Sequence, residues 1–317
     1  MNALIKIGCA ALWALWLGLA QAQTTLTIIV PTTPGTGGDI SARLLAPALS
    51  KALGQTVVVE NRTGASGTIG IAAVAKAAPD GNTVLFVPNT IAMISSLYKN
   101  LPWDPVNSFE PVATVGKMLV AAAVNPESKM TSLDQLIAAA RSKPGQLNYG
   151  SPGSGTPHHL RTEQFKQITG TEIVHVPYKG SAGAVTDLTG GQVQFGIFPL
   201  HSLLPLTKAG KLKMLATSGE TRSPWTPDVP TFRESGITVL NDYDWIGVFL
   251  PKNTPKARVD ALSRAIVTAL GTKDARDQLA DRGIIANPGG PAELTQLLRK
   301  ELVEWNTVVQ KGRIVAE

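Results

Sequence analysis

Three loops rich in glycine, serine and threonine are the segments of this sequence best suited to bind a ligand. Each follows an apolar run typical of a β-strand and precedes a helical pattern, at residues 31–39, 150–156 and 177–182. At the carboxyl end of a parallel strand, such a loop presents free backbone N–H groups and the positive end of a helix. Hydroxyl donors come from Thr32, Thr33, Ser154, Thr156 and Ser181. The pattern therefore predicts an anion site where these loops meet.

The spacing of the glycines does not match a nucleotide site. Gly35-Thr-Gly37 is not followed by a glycine at the dinucleotide spacing, and no Gly-Lys-Ser or Gly-Lys-Thr completes a phosphate loop. Gly64, Gly67 and Gly70 are spaced at threes, which fits a turn that runs into a helix. The sequence leaves open a ligand that is recognised through a phosphate group alone.

The four histidines do not predict a metal site. His158 and His159 are adjacent, so on a helix they cannot both face one ion. His159 is expected to pack or hydrogen-bond at a helix start. His175 lies in a predicted strand and His201 near a helix start, and both are expected to be structural. We therefore predict no metal and no cofactor.

Asp39 invites a catalytic interpretation, but its position also suits a helix start. It stands just before Ile40, where an aspartate caps the N-terminus of a helix. Arg43, four residues later, is placed to pair with it. We therefore expect Asp39 to be an N-cap with Arg43 as its partner.

A serine hydrolase is the enzyme hypothesis that the sequence allows. It requires Ser66, Ser151 or Ser154 beside a histidine and an acid. None of these serines stands in a Gly-x-Ser-x-Gly elbow. We therefore favour binding without catalysis, and the hydrolase remains the weaker alternative.

The first residues have the pattern of a cleavable export signal. Lys6 precedes an apolar run over residues 7–20, and Ala20 and Ala22 form a small-x-small cleavage pattern. The run is shorter than the roughly 20 residues that span a bilayer. Cys9, the single cysteine, lies inside this run and too early for a lipoprotein site. We predict a signal peptide over residues 1–22, cleavage near Ala22-Gln23, and no disulfide afterwards.

Composition and charge describe a globular chain with no nucleic-acid signature. Of the 317 residues, 44% are hydrophobic and 16% charged, and the formal net charge is +6 with no run of Lys or Arg. This mild, spread positive charge favours small anions over a nucleic-acid backbone. No later segment reaches membrane-spanning length, so we expect a soluble protein after cleavage.

The elements that must position the loops alternate between strand and helix, which predicts an α/β protein with mainly parallel sheets. Predicted helices include residues 40–53, with Pro47 inside, and 132–142, which begins with the capping box Ser132 and Gln135. No linker divides the chain, but apolar stretches at 112–124 and 245–250 can cross between two lobes. We expect lobe 1 to comprise residues 23–112 and 247–317, lobe 2 to comprise 113–246, and a ligand cleft to lie between them.

A series of short motifs gives the chain a family resemblance. In order they are GGD at 37–39, VENR at 59–62, AAPDG at 77–81, FEPV at 109–112, LNYG at 147–150, HVPYKGS at 175–181, GGQV at 190–193, KAGK at 208–211 and DVPT at 228–231. With these motifs the sequence resembles the Bug-type (Bordetella uptake gene) extracytoplasmic solute-binding receptors of the tripartite tricarboxylate transporter family. The resemblance implies a type II periplasmic-binding-protein fold, in which two α/β lobes are joined by two crossing hinge strands.

The resemblance also implies the residues of the site. In the family, a carboxylate is held between the first strand-helix loop and the matching loops of the second lobe. On lobe 1 this points to Thr32, Thr33, Gly37, Gly38, Asp39, Ser66, Gly67 and Asn89. On lobe 2 it points to Ser151, Ser154, Thr156, His159, Tyr178, Lys179, Gly180, Ser181 and Ala182. Lys179 is exposed in its loop, and both a ligand contact and plain surface charge stay open for it.

One departure from the family bears on the ligand. Where many members carry an acidic or small polar residue near a strand end, this sequence has Phe198-Pro199. An acid could meet the ammonium of an amino acid, and a phenylalanine cannot. We therefore expect a dicarboxylate, or an aromatic carboxylate stacked near Phe198, rather than aspartate or glutamate.

The resemblance finally implies a cellular location and partners. A monomeric receptor in the periplasm would deliver its organic carboxylate to a permease made of a large and a small integral membrane subunit. The alternative is a receptor that reports the ligand to a signalling partner.

Overall fold

The computed structural model describes residues 24–241 and 243–315. The predicted signal peptide, its cleavage near Ala22-Gln23 and the lone Cys9 lie outside these ranges and stay predictions. Within them, no helix is both long enough and apolar enough to cross a membrane.

The first sheet has six strands in the order β11-β4-β10-β3-β1-β2. Its strands are β1 (Thr25–Val30), β2 (Thr56–Asn61), β3 (Thr83–Pro88), β4 (Phe109–Met118), β10 (Asp244–Pro251) and β11 (Ile284–Gly289). The second sheet has five strands in the order β7-β6-β8-β5-β9. These are β5 (Val120–Val124), β6 (Leu147–Ser151), β7 (Ile173–Pro177), β8 (Phe195–Pro199) and β9 (Lys213–Thr217). The two sheets are the centres of the two predicted α/β lobes.

The expectation of mainly parallel sheets is wrong, because both sheets are mixed. β1 pairs in parallel with β2 and β3, and β6 with β7 and β8. β10 runs antiparallel to β3 and β4, β11 to β4, and β5 to β8 and β9. β5 and β10, the first strands after the two crossings, enter their sheets from the other lobe and run against the strands of the βα units. Helix–strand alternation in the sequence does not reveal this reversal.

The chain crosses between the sheets twice. β4 pairs along its whole length with β10 in the first sheet, and β5 begins two residues later in the second sheet, so the first crossing is at Leu119. The second crossing lies between β9 and β10. The first sheet thus includes residues 113–118 and 244–246, which the sequence-based division gave to lobe 2. The apolar residues continue from Met118 through Val124, so the sequence pattern did not locate the crossing.

Helices cover both faces of each sheet. They are α1 (Gly37–Leu53), α2 (Thr68–Ala75), α3 (Thr90–Leu97), α4 (Leu133–Ser142), α5 (Pro157–Thr169), α6 (Ser181–Thr189), α7 (Leu200–Lys208), α8 (Lys256–Gly271), α9 (Lys273–Ala280) and α10 (Pro291–Gly312). On the first sheet, α1, α8 and α9 pack on one face and α2, α3 and α10 on the other. On the second sheet, α4 and α5 pack opposite α6 and α7. This layering leaves the strand ends, rather than the sheet faces, to form a cleft.

Local sequence signals located several helix ends. The Ser132 hydroxyl accepts a hydrogen bond from the Gln135 N–H at 3.3 Å, which confirms the predicted cap of α4. The Gln135 side chain reaches back to the Thr131 N–H at 2.7 Å. Pro47 lies inside α1, as predicted. β11 and α3 were not predicted, because the run of apolar residues in each is short or interrupted.

Candidate functional site

The strand ends of the two sheets face each other across the crossing. In the first sheet, Asp244 pairs with Met118, and Ile246 pairs with Pro88, so the end of β3, the end of β4 and the start of β10 share one edge. In the second sheet, Val120 at the start of β5 pairs with Pro199 at the end of β8. Because one residue joins β4 to β5, these two edges are adjacent. The loops that follow β1, β3, β6 and β7 therefore open toward the junction of the lobes.

Two direct contacts between the lobes confirm that the edges face each other. The backbone of Gly155, before α5, approaches Leu97 at the end of α3 so closely that there is no room for a Cβ. Gly283, before β11, likewise lies against the Cβ of His201 in the first turn of α7. One contact involves the second lobe's ligand loop, so this loop lies within reach of the first lobe.

The first loop is held by its own hydroxyls. Thr32 Oγ1 lies 2.6 Å from Thr36 Oγ1, and Thr36 Oγ1 donates to the Thr33 carbonyl at 3.0 Å. Thr33 itself is exposed. Gly37 and Gly38 form the first turn of α1 and are buried, with Gly37 against the Met118 sulfur. The first-turn N–H groups of α1 have no acceptor within the helix.

Asp39 is not the N-cap of α1, as the sequence predicted, because the helix already begins at Gly37 with Thr36 as its N-cap. Gly37 lies against Met118, and Gly38 against Pro88 and Val30. Asp39 Oδ2 instead accepts the Gly35 N–H at 2.9 Å from within the first turn. The predicted pair is confirmed, since Arg43 Nε donates to Asp39 Oδ1 at 2.9 Å. Asn61 Nδ2 also donates to this oxygen at 3.0 Å, so both carboxylate oxygens have a role in holding the loop.

Ser66 and Gly67 lie beside the first loop in a strained turn. Ala65 and Ser66 have φ values of 46° and 55°, in the left-handed region that non-glycine residues rarely adopt. A Cβ on Gly67 would lie 3.2 Å from the Pro31 carbonyl oxygen. The structure therefore brings residues 31–39 and 65–67 together, and the Ser66 side chain is exposed.

The two loops of the second lobe are bonded to each other. The Tyr178 N–H donates to the Ser151 carbonyl at 2.9 Å, and the Gly180 N–H donates to the Pro152 carbonyl at 3.0 Å. Thr156 Oγ1 donates to the Gly153 carbonyl at 2.7 Å. The second and third predicted loops therefore form one continuous surface, and Ser154 is partly exposed on it.

The third loop leads into α6 through a fixed tyrosine. The Tyr178 hydroxyl donates to Asp187 Oδ2 at 2.6 Å, and desolvation together with this carboxylate raises the pKa of Tyr178 to about 12. Gly180 has a φ of 110°, and nothing lies within 4 Å of a Cβ placed on it. Lys179, Ser181 and Ala182 are exposed. The hydroxyl and N–H groups at the start of α6 are thus presented on a rigid turn.

His159 and His175 form hydrogen bonds with residues of the second loop. His159 Nδ1 accepts the Gly155 N–H at 2.9 Å, which confirms the predicted hydrogen bond at the helix start. The His175 ring stacks on His159 with centroids 4.1 Å apart. Its Nε2 lies 2.6 Å from Ser151 Oγ, and burial is the main reason that the pKa of His175 falls to about 3. These contacts of His175 fit the structural role that the sequence predicted for it.

The pair of Ser151 and His175 bears on the hydrolase alternative. Ser151 is fully buried. Its hydroxyl also lies 3.1 Å from the Gly153 carbonyl and 3.2 Å from the Gly153 N–H. The Ser151 hydroxyl is thus enclosed by groups of its own turn and by His175.

Asn89 and Phe198 have packing roles in this structure. Asn89 is fully buried, and its Nδ2 donates to Asp244 Oδ1 at 3.2 Å and to Glu301 Oε2 at 3.2 Å. Phe198 is fully buried, with its ring 5.4 Å from that of His158. Ligand contacts by these two side chains stay predictions.

A buried ion cluster joins the lobes behind the loops; it comprises Arg161, Asp244, Glu301 and Asn89. Arg161 Nε of α5 donates to Asp244 Oδ1 at 3.1 Å, and both side chains are almost fully buried. Glu301 of α10 accepts Nε1–H bonds from Trp245 at 2.8 Å and from Trp305 at 3.0 Å. Burial raises the pKa of Glu301 to about 7, although Arg161 opposes the shift. Arg161 and Asp244 alone are 83 residues apart in the chain, so no local signal predicted the cluster.

The fold and the site together define a class of protein. Two α/β lobes, joined by crossing segments and facing each other with hydroxyl-rich loops, are the architecture of a periplasmic binding protein. A solved structure of this class, the periplasmic binding protein BugD, is 29% identical to this chain with a TM-score of 0.82 and covers 92% of this chain and 99% of its own. The predicted fold class is therefore confirmed.

Sequence comparison gives the family. The family model described as "Tripartite tricarboxylate transporter family receptor" matches residues 41–314, so the chain belongs to that family of periplasmic solute-binding receptors. Protein BugT of Bordetella pertussis is 36% identical over 288 residues, which cover 90% of this chain and 88% of BugT. The predicted Bug-type resemblance is confirmed.

Two similar solved structures contain carboxylates. Rpa4515 of R. palustris with adipate is 33% identical with a TM-score of 0.83, and the match covers 94% of this chain and all of that one. MatC from Rhodopseudomonas palustris with bound malate is 31% identical with a TM-score of 0.80, and the match covers 90% of this chain and 98% of that one.

Proposed function

We propose that this protein captures a small organic carboxylate between its lobes in the periplasm and delivers it to a membrane permease with a large and a small integral subunit. The observation that carries the proposal is the gathering of three hydroxyl-rich loops, each at the start of a helix, on two facing edges of the sheets. The loops present N–H and hydroxyl donors, which match the acceptor oxygens of a carboxylate. The adipate and malate in two relatives are ligands of this chemistry.

Binding without catalysis is the expected mechanism. The loop donors hold the carboxylate, the lobes close around it, and the closed form is the one that a permease would recognise. The exposed donors of the second lobe, on Ser154 and Ser181, are the groups we expect to complete the site on closure. A dicarboxylate or an aromatic carboxylate remains the favoured ligand, and the receptor is expected to act as a monomer.

A thermal-shift panel tests the proposal. Ligand-free, refolded protein is heated with mono-, di-, tri- and aromatic carboxylates, and native mass spectrometry of the purified protein provides an independent view of any bound ligand. A true ligand at 100 times its Kd should stabilise the protein by about 2.7 kcal/mol. If no carboxylate raises the melting temperature, the proposal fails, and tight calorimetric binding of glutamate would contradict the expected ligand class.

A receptor that reports to a signalling partner shares every feature of this site. A strain that lacks the gene separates the two: loss of carboxylate uptake supports delivery to a permease, and loss of gene induction with normal uptake supports signalling.

A further inference from the structure

Helix α5 belongs to the second lobe through its packing on the second sheet. Its Phe165 side chain is fully buried in the core of that lobe. The Tyr149 hydroxyl of β6 donates to Glu163 Oε1 at 2.7 Å, and Arg141 Nε of α4 donates to the Thr169 carbonyl at 3.0 Å. These contacts join the second half of α5 to the second lobe.

The same helix is attached to the first lobe at two points. Near its start, Leu160 is fully buried in the core of the first lobe, and Arg161 Nε donates to Asp244 Oδ1 of β10 at 3.1 Å. Nearly two turns later, Gln167 Nε2 donates to the Val308 carbonyl of α10 at 3.0 Å. Arg161 and Gln167 are about 9 Å apart along the helix. The attachment is therefore a line along α5 rather than a single contact.

The last turns of α10 provide the second attachment by reaching along α5. Leu294, near the start of α10, is buried in the core of the first lobe. Further on, the Arg161 guanidinium lies over the Trp305 ring, 5.5 Å from its centroid. At the end of α10, a Cβ on Gly312 would lie 2.5 Å from Gln167 Nε2. The two helices are thus in close contact from the crossing to the end of α10.

A cavity of about 630 Å³ lies beside this pair of helices. Its walls come from both lobes, with Ile168 of α5 and Arg233 of the second lobe on one side and Val303 and Thr307 of α10 on the other. Close-packed side chains resist rolling past one another, whereas an open side leaves room for it. The contact between α5 and α10 is therefore a packed line with space beside it.

This geometry limits how the lobes can move. Pulling α5 off the first lobe would leave the buried Asp244 without its ionic partner and would expose Leu160 to water. Turning about the axis of α5 keeps both contacts, and the displacement then grows with distance from that axis. The loop at residues 150–156 directly precedes α5 and lies close to the axis. The loop at residues 177–182 follows the edge strand β7, and α6 packs on the opposite face of the second sheet.

We propose that α5 is the pivot on which the two lobes turn. The loop at residues 150–156 keeps its place against the first lobe, and the loop at residues 177–182 moves with α6 toward residues 31–39. Of the two donors expected to complete the site, Ser181 moves and Ser154 stays. The pivot rests on the proposed function, since it describes how the carboxylate site closes. Bending at the crossings alone would instead carry the far end of α5 away from α10.

Distances between spin labels test the pivot. The labelled side chains are exposed: Ala52 on α1 of the first lobe, Ile168 near the end of α5 and Thr186 on α6. Ala52→Cys is combined with Ile168→Cys or with Thr186→Cys, since the single natural cysteine, Cys9, lies in the predicted signal peptide. Electron double resonance is recorded without ligand and with malate or adipate. On binding, the distance to Thr186 should shorten by several ångströms, and the distance to Ile168 should keep its ligand-free value.

The outcomes separate the pivot from the proposed function. If a probe binds and the distance to Ile168 shifts as much as that to Thr186, or if neither shifts, the pivot is overturned while carboxylate binding stands. If neither probe binds, the ligand-free protein decides. There the distances to Thr186 should be more broadly distributed than those to Ile168, and equal widths overturn the pivot. Failure of the whole carboxylate panel is the result that overturns the proposed function.

Arg161→Met tests the attachment itself. Loss of the buried ion pair should broaden the distribution of distances between Ala52 and Ile168. The matched control, Arg222→Met, breaks an exposed ion pair within the second lobe and should leave the distribution unchanged. Thermal melting checks that both variants are folded. Should Arg161→Met not fold, Gln167→Ala removes the second attachment in its place, and an unbroadened distribution in the variant that folds counts against the pivot.

Discussion

The candidate ligand loops and the buried ion cluster lie side by side at the junction of the lobes but differ in residue type and in burial. The loops contain glycines and small hydroxyl residues, and several of them are exposed, among them Thr33, Ser66 and Ser181. The cluster contains full charges that are almost completely buried, such as Arg161 and Asp244. One region exposes hydrogen-bond donors, whereas the other satisfies its charges internally.

The difference indicates a division of labour between holding the molecule together and recognising a ligand. A buried charge is tolerated only when paired, so each member of the cluster depends on the others. An exposed hydroxyl is solvated without a partner, so a loop residue is replaceable as far as folding is concerned. Variants in the cluster should therefore change stability, and variants in the loops should change affinity.

The largest effect is expected for Arg161→Met. Removal of the guanidinium leaves Asp244 buried without its ionic partner, and such losses reduce the free energy of unfolding by about 3–5 kcal/mol. Urea unfolding measures it. The matched control is Arg222→Met, whose partner Glu234 and own side chain are both nearly half exposed, and which should lose less than about 1 kcal/mol. Equal losses in both variants would remove the distinction between the regions.

A smaller effect is the pH dependence of stability due to Glu301. Because its pKa is raised to about 7 in the folded state from 4.5, the folded protein holds this proton more tightly. The contribution of this proton to the free energy of unfolding is therefore complete below about pH 4.5. It is lost, by up to about 3 kcal/mol, as the pH rises through 7. Urea unfolding at pH 5 and pH 8 should show a smaller difference in Glu301→Gln than in the wild type. The same difference in both proteins would contradict the shift.

In the loops, a substitution should change affinity rather than stability, and Ser181→Ala tests this most directly. Its hydroxyl is exposed at the start of α6, so the free energy of unfolding should change by less than about 0.5 kcal/mol. Loss of one donor to the carboxylate should weaken affinity by roughly fivefold to tenfold. Calorimetry with a carboxylate found in the thermal-shift panel measures it. A loss of stability with unchanged affinity would place Ser181 with the structural residues.

The smallest effect is expected for Lys179→Ala. The lysine is exposed beside Ser181, where solvent and salt screen its attraction for an anion. Affinity should fall by less than about threefold at low salt, and the difference should disappear at about 0.5 M salt. A tenfold loss that persists at high salt would show direct contact and would resolve the alternative left open by the sequence.

Much of the loop region could be predicted from the sequence because its signals are local. Helix starts, glycines and hydroxyls occur within a few residues of one another, and the rule that parallel strands end at one edge brings such loops together. The pairing of Asp39 with Arg43 and the cap at Ser132 follow from spacings of three or four residues. The prediction failed at Asp39, where the helix begins two residues earlier, at Gly37, which lies against the distant side chain of Met118.

The rest could not be predicted because it depends on contacts between distant parts of the chain. The crossing at Leu119 lies inside a mainly apolar stretch, and the reversal of β10 is set by the route between the lobes. Whether Phe198 faces a ligand or the core depends on which helix covers its strand.

By itself, the sequence determined the α/β class, the three loops and the family of the protein, since these depend on local pattern and on ordered motifs. Only the tertiary structure decided that Arg161, Asp244 and Glu301 form one buried cluster and that Asn89 donates to both of its carboxylates. The physical reason is that burial and pairing are properties of the folded chain. A charge or an imidazole has the same appearance in a sequence whether its partner is solvent, a neighbouring carboxylate or a ligand.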